Sequence, residues 1–225
     1  MSKNSDRRSA LDFMPVKKNL TQLRRAAAAC EGCPLFANAT QTVFGAGAAA
    51  ARLVFVGEQP GDQEDRAGKP FIGPAGQLFD AVLAEVGLER KAVYVTNIVK
   101  HFKWIPRGKR RLHAMPTARE VDACRPWLEA EIAAIEPDLI VCLGATAAQG
   151  ILGREFRVTR QRGEICERPG GPSVLATFHP SAILRAPDEA ARHAMRRGFV
   201  HDLKSAAKFL QRHSVAQRER HKKRV

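Results

Sequence analysis

The residues best suited to chemistry are a histidine and the basic run that delivers it, Arg107-Gly108-Lys109-Arg110-Arg111-Leu112-His113. A neutral imidazole can act as nucleophile, metal ligand or proton carrier near neutral pH. Lys109, Arg110 and Arg111 are side chains that grip phosphates. Taken alone the run supports phosphate binding and little more. A histidine carried by such a run to the strand-end side of a sheet points to chemistry beside a phosphate backbone. The run itself leaves open whether His113 is nucleophile, ligand or bystander.

Other chemistry-bearing residues lie in three further segments. Gly57-Glu58-Gln59-Pro60-Gly61-Asp62-Gln63-Glu64-Asp65 follows an apolar run. Its glycines and proline fix a turn and let backbone approach a ligand. Glu58, Gln59 and Asp62 offer acceptor, amide and carboxylate groups there; the plainer reading is an ordinary polar connection. Phe71, bracketed by proline and glycine, suits stacking on a planar ring, or else plugs the core. Asn97 ends another apolar run, and its carboxamide matches the donor and acceptor edge of a pyrimidine; otherwise it caps a turn. His179-Pro180-Ser181 ends a further run. His179 can donate to a developing negative oxygen, and Ser181 and Arg185 can hold phosphates. By itself His179 is equally a satisfied, partly buried histidine.

The chain has five cysteines. Cys142 sits in Leu139-Ile140-Val141-Cys142-Leu143 and reads as a buried small hydrophobe. Cys166 has no obvious partner. Cys30 and Cys33 form a C-x-x-C pair, and with Cys124 they make a set of candidate metal ligands. Spacing does not separate a zinc site from a redox pair, and an iron–sulfur cluster usually takes four ligands.

These groups need elements to position them. The chain has 225 residues, is 44% hydrophobic and carries a formal net charge of +14, with a sequence pI of about 10.2. That charge argues for a polyanionic partner rather than for a fold. The polar start, and the lack of an apolar run near the roughly 20 residues that span a bilayer, lead to the expectation of a cytoplasmic protein without membrane contact. Monomer is the default expectation.

Periodicity predicts strands at 52–57, 92–97, 138–144 and 174–178. Helices are expected at 20–29, 74–87, 117–135, 145–152 and 188–211. Thr117 and Glu120 form a capping box, and Pro126 predicts a kink or break. Alternation of strands and helices implies a three-layer α/β/α fold around a central, mainly parallel four-stranded sheet. Residues 1–18 are expected to form a flexible basic arm, 19–212 a single domain and 213–225 a basic tail. Ligands bind such folds beyond the carboxyl ends of the strands. The segments at 58–65, 101–113 and 179–185 each follow a strand, so they are expected to converge on one site.

Together the segments resemble the uracil-DNA glycosylase superfamily, its iron–sulfur family 4 type, and within that the UdgX subgroup. The first motif is matched by Gly57-Glu58-Gln59-Pro60-Gly61 and the second by His179-Pro180-Ser181. The UdgX features are the extension through Asp62-Gln63-Glu64-Asp65 and the inserted Lys109-Arg110-Arg111-Leu112-His113. The resemblance implies a [4Fe–4S] cluster, with Cys30, Cys33 and Cys124 at family cysteine positions. His101 stands where the family has its remaining cysteine and is read as the fourth ligand; the alternative is a cluster with one protein ligand missing.

The resemblance also implies a substrate, uracil-containing DNA including single strands, and a reaction. Uracil is flipped out of the strand, stacks on Phe71 and is read by Asn97 and Gln59. His179 stabilises charge on the departing ring, and His113 attacks the sugar to leave a covalent, single-turnover adduct. Glu58 takes the ring proton, with Asp62 and Gln59 holding the loop. An ordinary hydrolytic family 4 enzyme and a non-catalytic DNA-binding module are the alternatives.

Overall fold

The computed structural model describes residues 8–168 and 170–222. Among the described residues the first element is a short 3₁₀ turn, Ala10–Phe13, capped by Ser9 in a reciprocal box with Asp12. Then follow α1 (Leu20–Ala27), a second 3₁₀ turn at Pro34–Ala37, β1 (Ala46–Gly47) and β2 (Leu53–Gly57). Next come α2 (Asp62–Ala67), α3 (Pro74–Glu85), β3 (Tyr94–Asn97), β4 (Trp104–Arg107) and β5 (Arg110–His113). The remainder is α4 (Ala118–Ile135), β6 (Leu139–Leu143), α5 (Ala145–Leu152), α6 (Val158–Gln161), β7 (Ile165–Cys166), β8 (Ser173–Thr177), α7 (Pro180–Leu184) and α8 (Glu189–Lys222).

The main sheet has six strands in the order β1-β3-β2-β6-β8-β7. Its four expected strands pair in parallel, and the two-residue strands β1 and β7 close the edges antiparallel. Strand β2 is buried at every position, as is β6, which is why both read as unbroken apolar runs. Alternate residues feed two separate cores. Val54, Val56, Ile140, Cys142, Val174 and Ala176 face α1, α4 and α5. Leu53, Phe55, Val95, Val141 and Leu175 face α3, α7 and α8. The architecture is therefore α/β/α in three layers, as expected. Truncating a side chain such as Phe199, fully buried under the sheet, costs about 3–5 kcal/mol.

Three expectations need correction. The arm does not extend to residue 18: Ala10 is fully buried in the same core as Leu23 and Cys30. Residues 1–7 lie outside the described residues. Pro126 does not break α4, which runs through it with its predicted Thr117 cap and Glu120 box; the buried Val121, Trp127 and Leu128 pin both sides of the proline to the core. The long final helix does not stop near residue 211 but continues to Lys222, so the expected basic tail is helical in backbone over most of its length. Residues 223–225 lie outside the described residues. Among the described residues no helix is long and apolar enough to cross a membrane.

The basic run is not a loop. Trp104–Arg107 and Arg110–His113 form a separate two-stranded antiparallel hairpin, with Trp104 opposite His113 and Arg107 opposite Arg110. Gly108 takes a φ of 58° at the tip, the positive value that two-residue hairpin turns require.

Candidate active site

The carboxyl ends of β2, β3, β6 and β8 lie side by side, since Gly57 pairs with Asn97 and Leu143 with Thr177. The ladder continues past the end of β2, with Val99 N–H donating to Glu58 O at 3.0 Å. Glu58 is thus fixed in backbone before its side chain is considered. Its Oε1 stands 3.2 Å from His113 Nε2, and its Oε2 accepts from the Thr146 hydroxyl. Burial pushes the Glu58 carboxyl up, but the hydrogen bonds from His113 and Thr146, with the nearby histidines, hold it below its ordinary value. A deprotonated carboxylate therefore faces the histidine, which is about half exposed.

The hairpin that carries His113 is tied down at its base and along its inner face. Gln59 Nε2 donates to Lys103 O and Ala114 O at 3.2 and 3.1 Å, and Gln59 Oε1 accepts from Lys103 N at 3.0 Å. The carboxamide expected to touch a base is thus engaged with hairpin backbone. Arg111 Nε donates to Asp62 Oδ1 at 2.5 Å and its Nη1 to Asp65 Oδ2 at 2.7 Å. The guanidinium also lies 5.4 Å from the Phe102 ring centre and 5.5 Å from that of Trp104. Arg111, expected among the phosphate contacts, is turned inward as a brace. Asp62 feels slight burial that raises it, outweighed by Arg66 and Arg111, which hold it low. Arg107, Lys109 and Arg110 remain exposed at the tip.

A second group stands on β2, β3 and β8. The Asn97 side chain is buried, and its Oδ1 has no hydrogen-bond partner. An unmade bond of that kind is costly in a core and suits an atom that waits for a ligand donor. Phe71 is buried with a φ of 55°, a left-handed conformation that costs a phenylalanine about 1–3 kcal/mol. Two glycines make room for it. A Cβ on Gly57 would overlap Asn97 Oδ1 and lie 2.8 Å from Phe71 Cζ, and one on Gly76 would strike the Phe71 carbonyl.

The Phe71 and His179 ring centres are 5.8 Å apart. His179 Nδ1 accepts from Ser181 N–H at 3.1 Å and pairs with Ser181 Oγ at 2.7 Å. Burial pushes the His179 imidazole down to about 4, against the pull of Glu58. It is neutral near pH 7, with Nδ1 accepting, so Nε2 carries the proton and is a donor. Ser181, expected at a phosphate, holds the imidazole. Arg185 is exposed, close enough to His179 to help lower it.

The family model described as the uracil DNA glycosylase superfamily matches residues 44–204. The chain belongs to the uracil-DNA glycosylase superfamily. It is 40% identical over 184 residues to the type-4 uracil-DNA glycosylase of Thermotoga maritima, covering 81% of this chain and 90% of that one. It is 40% identical over 177 residues to the type-4 enzyme of Archaeoglobus fulgidus, with 76% and 85% covered. A 32% identity over 150 residues relates it to the type-5 uracil-DNA glycosylase of Pyrobaculum aerophilum, with 59% and 62% covered.

The superfamily domain spans Glu58, Asn97, His113 and His179, whereas Cys30 and Cys33 precede it. Cys30, Cys33, Cys124 and His101 are all buried. Cys30 Sγ accepts from Trp127 Nε1, and Cys124 Sγ from Lys100 N, each at 3.2 Å. Burial pushes Cys124 up to about 12, and the neighbouring Cys33 and Cys30 push the same way. His101 Nε2 lies 2.8 Å from Thr42 Oγ1, whose proton goes to Ala27 O. Nε2 is then the donor. Burial holds the ring near 4, so it is neutral, with Nδ1 left as the lone-pair nitrogen. Among the described residues no three such side chains stand at metal-ligand distances. In kind, the donors fit a soft-metal group: buried sulfurs that already receive N–H bonds, and an imidazole whose tautomer is set from behind.

Sequence reasoning overlooked Thr146. It follows β6 by way of Gly144, at the third strand end, and the direct passage from strand to helix gave the only signal. It also overlooked the hairpin, because Pro106 and the charge density masked a strand pattern, and the roles of Asp65 and Trp104 in seating it.

Proposed function

We propose that this protein excises uracil from DNA and that His113 then captures the abasic sugar covalently in a single turnover. The observation that carries the reading is His113 Nε2 standing 3.2 Å from Glu58 Oε1, beside Asn97 and His179. A flipped uracil, unstacked at a cost of roughly a few kcal/mol, would lie against Phe71. Its N3–H would meet the unpartnered Asn97 Oδ1, and a ring oxygen would face His179 Nε2–H. A neutral donor fits, because charge develops on that oxygen only as the bond breaks.

The bond between C1′ and uracil N1 breaks with its electron pair leaving on the base. The sugar is then an oxocarbenium-like cation, as in glycoside cleavage generally. The His113 ring nitrogen without a proton gives its lone pair to C1′. The resulting imidazolium sheds its remaining proton to Glu58. Lys109 and Arg110 at the hairpin tip would hold phosphates of the strand, as would Arg185 at the end of α7.

A [4Fe–4S] cluster would be held by Cys30, Cys33, Cys124 and His101. Its contribution would be structural, tying the amino-terminal segment to α4 and to the chain that leads into the hairpin.

The hydrolytic alternative is favoured by the relatives at 40% identity, which are named type-4 uracil-DNA glycosylases. In that reading Glu58 would position water, since Asp62 Oδ1 and Oδ2 are engaged with Arg111 and Arg66. Incubation with uracil-containing single-stranded DNA and a denaturing gel tests the choice. A stable slow band supports capture. Abasic product without the band supports hydrolysis, and no reaction supports a binding module.

A further inference from the structure

We infer that Thr146 is a positioning residue for Glu58: its hydroxyl anchors one carboxylate oxygen so that the other faces His113. The inference rests on the capture reading above for the step that it serves. Thr146 is the second residue of α5, and Gly144 leads into that helix with a φ of 88°. A Cβ on Gly144 would approach His179 Cβ to 3.0 Å. The absent side chain lets the helix start sit directly against the site. The Thr146 hydroxyl has one proton and spends it on Glu58 Oε2. Glu58 Oε1 is left to His113 Nε2 at 3.2 Å.

Two consequences follow from this arrangement. The carboxylate cannot rotate away from the imidazole without giving up the hydroxyl, so it is held in a productive orientation before DNA arrives. The bond is made to the charged form, which favours deprotonated Glu58 at the moment when the alkylated imidazolium must lose a proton. The start of a helix adds in the same sense, since it favours negative charge. The threonine methyl group has no part in either effect, so serine can replace threonine and valine cannot.

The test compares Thr146→Val and Thr146→Ser with the wild type in two measurements. Carbon-13 NMR of the side-chain carboxyl follows the titration of Glu58 without DNA. Quenched single-turnover gels follow adduct formation against pH. Thr146→Val is expected to raise the Glu58 titration midpoint and move the acid limb of adduct formation to higher pH. It should also slow capture at neutral pH by about 10-fold, the lower end for a hydrogen bond to a charged group. Thr146→Ser should restore all three. An unmoved midpoint in Thr146→Val overturns the inference, as does a serine variant that behaves like valine. A wild-type protein that releases uracil without a covalent band defeats the capture reading instead. In that case the NMR midpoints still decide whether Thr146 holds Glu58.

Discussion

Arg111 and His113 lie two residues apart on the inward face of one hairpin, each held by a carboxylate of the Gly57–Asp65 segment. Arg111 Nε is 2.5 Å from Asp62 Oδ1, and His113 Nε2 is 3.2 Å from Glu58 Oε1. The period of two along a strand dictates that both side chains point the same way. Arginine in this position therefore sets where the histidine stands.

Arg111→Ala tests that coupling. It leaves the fully buried Asp65 without its cation. Breaking such a pair costs about 3 kcal/mol, or a fall in Tm of about 6–12 °C for a chain of this size. Adduct formation should drop more than uracil release does, because the hairpin carries the capturing residue, whereas Phe71, Asn97 and His179 lie outside it. Equal losses in both steps would remove the distinction.

His113→Gly should abolish the covalent band and spare excision, since bond cleavage and capture are separate steps with separate residues. A band that persists in this variant, seen on a denaturing gel, would show that another nucleophile acts.

Gly57→Ala should fold yet lose excision by about 10- to 100-fold, the scale of an ångström-sized misplacement in an active site. The added Cβ pushes on Asn97 Oδ1 and Phe71 together. Single-turnover excision on uracil-containing DNA measures it, with thermal melting as the control for folding.

His179 gives a pH dependence of known sign. Its folded value, about 4, lies below the unfolded 6.5. Its contribution to stability is full above about 6.5 and is lost as pH falls toward 4, because the unfolded chain takes the proton first. Urea unfolding at pH 7 and pH 5 should show a smaller pH effect in His179→Gln than in the wild type. The same variant should lower excision by about 100-fold or more, as expected for a lost oxyanion donor.

The purified protein should be brown and carry iron, and Cys124→Ser should lose both. His101→Cys should keep the colour, as a thiolate replaces an imidazole ligand. A colourless protein containing zinc would sink the iron–sulfur assignment.

Much of this was legible in the residue order. Unbroken apolar runs at β2 and β6 mark strands buried on both faces, and a run of that kind has no other easy use. The Thr117 and Glu120 pair fixed the start of α4. Their positions after apolar runs place Glu58, Asn97 and His179 together at the strand ends. The resemblance supplied the superfamily, and the match over residues 44–204 bears out that level of it, not the UdgX subgroup.

What the sequence did not determine is which polar groups are spent on one another. Lys109, Arg110 and Arg111 are neighbours of like charge, indistinguishable by type. The hairpin twist and register turn Arg111 toward Asp62 and Asp65 and leave the others exposed at the tip. Gln59 is likewise a base reader by type and a hairpin staple by position. Thr146 gains its part only because β6 lies next to β2 in the sheet, although more than eighty residues separate it from Glu58. Periodicity and composition act along the chain and specify elements. Pairing between distant strands is decided by packing, and that packing chose which carboxylate faces His113.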